Sequence, residues 1–266
     1  MSSSKGFHSP TVIVAGAGGL SYSMLRALLR KDIFVKAVIS RNPEQAKIKL
    51  NLPQLEILDY QAKNLVADVL ILAVPDGKLV ETAKQICVQN SIGCVVHCSG
   101  SAGVNILQGI LPNYGVVYPL QTFTPGREVS FDDLPIFWES GSSTSAEIVR
   151  HFSEILSSRS TVMDSESRAL VHTGAVFANN FNNFLALIAT HFAEKAGQNH
   201  GIYQPILEET LSKLRVISPD KAQTGPARRG DKETIERHLG ILKAHFPEWQ
   251  PLYEEFSKLI EKTDWK

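Results

Sequence analysis

Residues 11–21 read TVIVAGAGGLS: a β-branched run from Thr11 to Ala15, then Gly16-Ala17-Gly18-Gly19-Leu20-Ser21. A short buried-type strand feeding a glycine turn, with a helical pattern after it, is the opening half of a βαβ unit. Ser21 to Lys31 supplies that helix, with Met24, Leu25, Leu28 and Leu29 on one side. The chemistry assigns each glycine a task. Gly16 makes the tight turn, and Gly18 lets backbone approach a pyrophosphate. Gly19 and Leu20 open the helix, whose N-terminal N–H groups face an anion. Ser21 replaces the usual third glycine or alanine and is still small.

Outward from that turn the alternation continues. Phe34–Ser40, Asp68–Val74 and Gly93–His97 read as strands, with a helix from Leu79 to Gln89. Shorter strands are expected over 115–118, 135–138 and 161–163, and a helix over 145–157. Beyond Asp164 only helical patterns remain, over 167–195, 204–214, 234–245 and 249–261. The expected fold class is α/β: a mostly parallel sheet over residues 1–165, then an all-helical part over 166–266.

The second strand ends Ser40-Arg41-Asn42, with no carboxylate to receive the ribose hydroxyls of NAD. Ser40 and Arg41 suit a 2′-phosphate instead, so the sequence favours NADP. Val74-Pro75 and Asp76 end the third long strand and are expected against the cofactor, although Asp76 can equally cap a helix. His97-Cys98-Ser99-Gly100 ends the next strand, where Ser99 can stabilise charge and His97 is either structural or functional.

Lys+Arg and Asp+Glu number 27 each, which argues against a nucleic-acid partner. The longest apolar run, Val66 to Pro75, is about half a membrane span and contains Asp68. Residues 1–10 lack the apolar core of a signal peptide. Cys87, Cys94 and Cys98 read as reduced thiols, and no metal-ligand spacing is present. These features predict a cytoplasmic protein that engages no membrane.

Several motifs together carry a resemblance: the glycine turn, LAVPD at 72–76, HCSG at 97–100 and YPLQTF at 118–123. The helix from His172 to Asn180 and Gly225-Pro226-x-x-Arg229-Gly230-Asp231 complete the set. With these the chain resembles the NADP oxidoreductases that pair a Rossmann-like domain with a helical C-terminal domain of unknown function. The wider superfamily includes 6-phosphogluconate dehydrogenase, pyrroline-5-carboxylate reductase and ketopantoate reductase. The resemblance implies hydride transfer between NADPH and a small carbonyl, a ketopantoate-like 2-keto acid or an imine acid, in an interdomain cleft. It also implies a homodimer through the helical domain.

One departure matters. Ketopantoate reductase and the β-hydroxyacid dehydrogenases use a Lys and an Asn on the first helix after the sheet. Here that helix carries no lysine before Lys195, and offers His172, Asn179, Asn180, Asn182 and Asn183. His172 can act as general acid, with Asn180 as the substrate anchor. Asn179, Asn183, Gln121 and Arg229 are candidate contacts for a small anionic substrate. His172 can also be a packing residue, and Arg228 or Arg229 can simply brace its loop against Asp231. The missing lysine leaves a second reading open, a catalytically inactive NADP-binding sensor.

Overall fold

The computed structural model describes residues 9–265; the amino-terminal segment read for a signal peptide falls mostly outside them. By contacts the chain forms two compact units, one ending at Asn183 and the other beginning at Phe184. The division falls later than the 165/166 boundary read from sequence. The first helical turns after Ser165 are fastened to the sheet by buried polar contacts described below.

In the first unit, eight strands form one sheet: β1 (Val12–Ala15), β2 (Val35–Ile39), β3 (Ile57–Leu58), β4 (Val66–Leu72), β5 (Ser91–His97), β6 (Tyr114–Pro119), β7 (Ile136–Ser140) and β8 (Ser160–Val162). Their order is β3-β2-β1-β4-β5-β6-β7-β8. Every neighbouring pair is parallel except β6 with β7. Strand β1 shows why both faces are covered. Val12 and Val14 join one apolar core with Met24, Leu25 and Leu28, whereas Ile13 and Ala15 join the other with Leu70 and Leu72. That two-residue alternation, apolar on each face, is the mark of an interior parallel strand.

Helices α1 (Gly19–Arg30), α2 (Pro43–Leu50), α3 (Leu79–Cys87) and α4 (Ala146–Leu156) flank the strands. The sequence reading did not include α2 or β3. Helix α2 buries only Ala46 and Leu50, so its periodicity is weak, but Asn42 caps it and Pro43 opens it. Asn42 Oδ1 accepts the Gln45 N–H at 3.0 Å.

After Asp164, which caps it through the Ser167 N–H at 2.8 Å, α5 spans Ser165–Ala175. A π-helical segment, Val176–Phe181, follows and leads into α6 (Asn182–Lys195). The uninterrupted α-helix expected over 167–195 is therefore broken by a wider turn. Such turns recur at functional sites.

In the second unit come α7 (Gln204–Leu214), the short α8 (Pro219–Ala222) and α9 (Pro226–Arg229), then α10 (Lys232–His245) and α11 (Gln250–Lys262). Ala193, Ala227 and Leu242 are its buried apolar residues, and Phe192 meets Phe246 with ring centres 4.5 Å apart. Among the described residues no helix is long and apolar enough to cross a membrane.

Candidate active site

The strand order reverses direction of growth at β1 and β4, and ligands of open α/β sheets sit at the carboxyl ends there. The glycines behave differently at this edge. Gly16 has φ +121°, and a Cβ on it would collide with the Ala73 carbonyl at the end of β4. A Cβ on Gly19 would strike the Phe123 carbonyl. Gly19 therefore fits α1 against the 118–123 segment. Gly18 faces open space, and it precedes a helix with no side-chain cap and no acidic residue in its first turn. The N–H groups of such a terminus have no side-chain partner, and the helix dipole there suits an anion.

Gly18 opens onto a groove of about 510 Å³ that also takes in Ser40, Arg41, Asn42, Val74 and Pro75. The groove thus gathers most of the residues assigned to the cofactor from sequence. Two of them are partly committed: Asn42 caps α2, and Ser40 Oγ lies 3.4 Å from the Asn42 N and O. Sequence reasoning missed Lys49, which lines the same groove from α2. Lys78 also lines it but is bound to Glu81 at 2.8 Å, and the hydrogen bond and charge of its ammonium hold the Glu81 carboxyl below its usual range, Arg41 adding to the effect.

Leu20 begins a second pocket, of about 640 Å³, that contains Tyr118, Gln121, His172, Asn179 and Asn180. Its centre is a pair separated by 54 residues in the chain: Tyr118 Oη lies 2.9 Å from His172 Nδ1. The rings meet edge to face, 5.7 Å apart at 81°. Both lie against Gly100, where a Cβ would come within 2.5 Å of the imidazole and 2.8 Å of the Tyr118 ring. The glycine of HCSG is there to seat this pair. Burial pushes the Tyr118 phenol above its usual range, with Arg168 pulling the other way.

On a regular α-helix, spacing of 3.6 residues would group His172 with Val176, Asn179 or Asn180, and Asn183. The π turn places both Asn179 and Asn180 on the pocket, and Asn183 is not among its lining residues.

Ser99 is more committed than a free oxyanion donor. Its hydroxyl donates to Asp76 at 2.8 Å and accepts the N–H groups of Ser101 and Ala102 at 3.2 and 2.9 Å. Ser101 also donates to Asp76, so Asp76 ties the loops after β4 and β5 together.

His97 is fully buried, and its Nδ1 accepts the Ser99 N–H at 3.2 Å. Burial, reinforced by Arg168, lowers its pKa to about 4, which marks it as a neutral structural imidazole. Arg168 on α5, also fully buried, bonds Glu139 of β7 at 2.5 Å and the Ala102 carbonyl at 2.7 Å. Ser165 joins the same cluster through Glu139 and the Val104 N–H. A lone Arg inside an amphipathic pattern reads as surface, so no sequence signal marked it.

In the second unit Arg229 is exposed and lies 3.9 Å from Asp231, which caps α10 through the Thr234 N–H at 3.1 Å. The three cysteines are free, and burial pushes the Cys94 and Cys98 thiols up to about 12. Among the described residues no cluster of metal-ligating side chains occurs.

Sheet order and glycine turn define a Rossmann-like fold. Residues 6–122 match the Rossmann-like domain family, and residues 134–260 match a domain of unknown function, DUF2520. The chain belongs to the family that joins these two domains. A solved candidate NADP oxidoreductase from Bacteroides fragilis is 33% identical, with TM-score 0.88, over 96% of this chain and 99% of that one. An imine reductase from Myxococcus stipitatus in complex with NADP+ shares the fold at 12% identity and TM-score 0.61, covering 95% of this chain and 93% of that one. A Plasmodium falciparum pyrroline carboxylate reductase with NADP bound does so at 10% identity and TM-score 0.58, covering 97% and 100%. No curated protein matches.

Proposed function

We propose that the protein is an NADP-dependent oxidoreductase that reduces a C=O or C=N bond in the Tyr118–His172 pocket. The observation that carries this reading is one residue-to-residue continuity. Gly18 opens the dinucleotide groove at the start of α1, and Leu20, two residues on, lines the pocket that holds the acid pair. The groove suits the cofactor on the molecule's own geometry. It has open space at Gly18, an uncapped helix terminus for the pyrophosphate, and Arg41 with Lys49 for the 2′-phosphate.

The bound dinucleotide would supply the hydride, two electrons and a proton nucleus, to the carbon of the C=O or C=N bond. The chain's residues do the rest. His172 gives a proton to the oxygen or nitrogen that accumulates charge, and is reprotonated from solvent. Tyr118 holds Nδ1, leaving Nε2 as the nitrogen that can serve the substrate. Asn179, Asn180 and Gln121 offer neutral hydrogen bonds that orient it. The tyrosine–histidine pair favours catalysis over a sensor, because cofactor sensing alone needs no acid in the neighbouring pocket.

The cofactor assignment has a direct check. Arg41→Ala should raise the Kd for NADPH by about 10- to 100-fold, the worth of a charge-assisted hydrogen bond, and hardly change NADH binding. Lys49→Ala should act in the same direction. Equal losses for the two dinucleotides in a fluorescence titration would remove the 2′-phosphate site.

The reading includes a homodimer through the helical unit. Helix α7 buries no residue, and Leu207, Leu211 and Leu214 form an exposed apolar stripe at helical spacing. A helix so bare is marginal unless something covers it, and a second copy of the stripe is self-complementary. Sedimentation equilibrium should give twice the chain mass, and Leu211→Glu should halve it. A monomeric wild type sinks the dimer.

A further inference from the structure

We propose that the Tyr118–His172 pocket takes an uncharged carbonyl or imine compound rather than a keto acid; this rests on the oxidoreductase reading above. Among the described residues, no Lys, Arg, Asp or Glu lines the pocket. Its apolar wall is Leu20, Leu120, Phe123, Val171 and Val176, and its polar groups are hydroxyl, amide and imidazole. Taking a carboxylate out of water into such a wall costs several kcal/mol unless a cation meets it. The asparagines can hydrogen-bond a carboxylate, but they bring no compensating charge.

Each positive feature nearby is already engaged. Arg168 is fully buried and committed to Glu139 and the Ala102 carbonyl. The terminus of α1 starts at Gly18, which opens on the dinucleotide groove, so its field serves the pyrophosphate. His172 is the remaining candidate. Its Nδ1 is held by Tyr118, so a single nitrogen is left. That nitrogen cannot clamp a carboxylate and also protonate the reacting atom. A neutral substrate avoids the conflict, and its apolar substituents gain about 25 cal/mol for each Å² they bury.

The test uses the full chain loaded with NADPH and two matched probe pairs: acetophenone against phenylglyoxylate, and 2-methyl-1-pyrroline against 1-pyrroline-2-carboxylate. NADPH oxidation gives kcat/KM, and quenching of bound-NADPH fluorescence gives Kd whether or not turnover occurs. The uncharged member of each pair should be favoured by about tenfold or more, in kcat/KM or in Kd. Asn180→Arg, which places a cation in the wall, should shift that ratio toward the carboxylates. Equal or stronger use of the carboxylates by the wild type, binding of neither member, or a ratio that Asn180→Arg leaves unmoved overturns the proposal. Failure of the underlying reading looks different: NADPH itself does not bind, or the uncharged probes bind selectively and are never reduced.

Discussion

Replacing His172 with alanine is expected to lower kcat roughly 100- to 10,000-fold, the usual contribution of a positioned general acid. NADPH affinity should be nearly unchanged, because His172 lines the Tyr118 pocket and not the groove that begins at Gly18. Reduction of a C=O bond leaves charge on oxygen, and without an acid nearby that charge has only water to take a proton from. Tyr118→Phe separates position from proton chemistry. It keeps an aromatic ring on Gly100 and removes only the hydroxyl 2.9 Å from Nδ1. That variant should lose less, about tenfold, with a displaced pH profile, since the imidazole keeps its place but loses the bond that orders its two nitrogens. Steady-state kinetics with the better uncharged probe, from pH 5 to 9 or so, reads both effects. A His172→Ala protein with wild-type turnover and an unchanged pH profile would take His172 out of the mechanism.

Local chemistry was legible in the sequence wherever its partners are neighbours. The turn after β1 needs nothing beyond residues 16–21 to be recognised, and the absence of a carboxylate at 40–42 is visible by inspection. The structure then divides labour that spacing alone could not divide: Gly16 and Gly19 relieve collisions with Ala73 and Phe123, whereas Gly18 faces open space. What the chain brings together from afar was not legible. Tyr118 lies 54 residues before His172, and it stood only as part of the YPLQTF motif at 118–123. Lys49 was hidden because α2 has little apolar periodicity, although Asn42-Pro43 is a recognisable helix start. The asparagine cluster was visible but its geometry was not. A 3.6-residue period would put Asn183 on the face of His172, and the π segment 176–181 between them shifts that phase. Ser99 shows the reverse error: a hydroxyl at a strand end looks available, yet three hydrogen bonds hold it in its loop.

Arg168→Met should destabilise the sheet unit by about 3–5 kcal/mol, more than any other single change argued for this chain outside the apolar core. The methionine fills much of the volume, so the loss is electrostatic. It leaves Glu139 without its cation and the Ala102 carbonyl without its donor. Arg168→Lys should recover only part, because an ammonium cannot span both acceptors as the guanidinium does. Removing both charges in Arg168→Met/Glu139→Leu should restore more stability than either change alone predicts, since no unpaired charge is then buried.

The same arginine also reaches His97, after burial the second cause of its pKa of about 4. The folded value lies below the unfolded one of about 6.5, so the neutral ring contributes fully above that pH. The contribution is lost as pH falls toward 4, roughly 3 kcal/mol in all. Taking away the Arg168 charge lets the folded pKa rise toward 6.5, so the Met variant starts weaker at pH 7 but loses less through His97 on acidification. His97→Asn, whose amide oxygen can still accept the Ser99 N–H, should flatten the acid limb in the wild-type background. Urea midpoints at about pH 7 and pH 5 measure each term. An Arg168→Met protein within about 1 kcal/mol of wild type would mean that Glu139 and Ala102 find water when the guanidinium goes, and that α5 is not fastened to the sheet by charge.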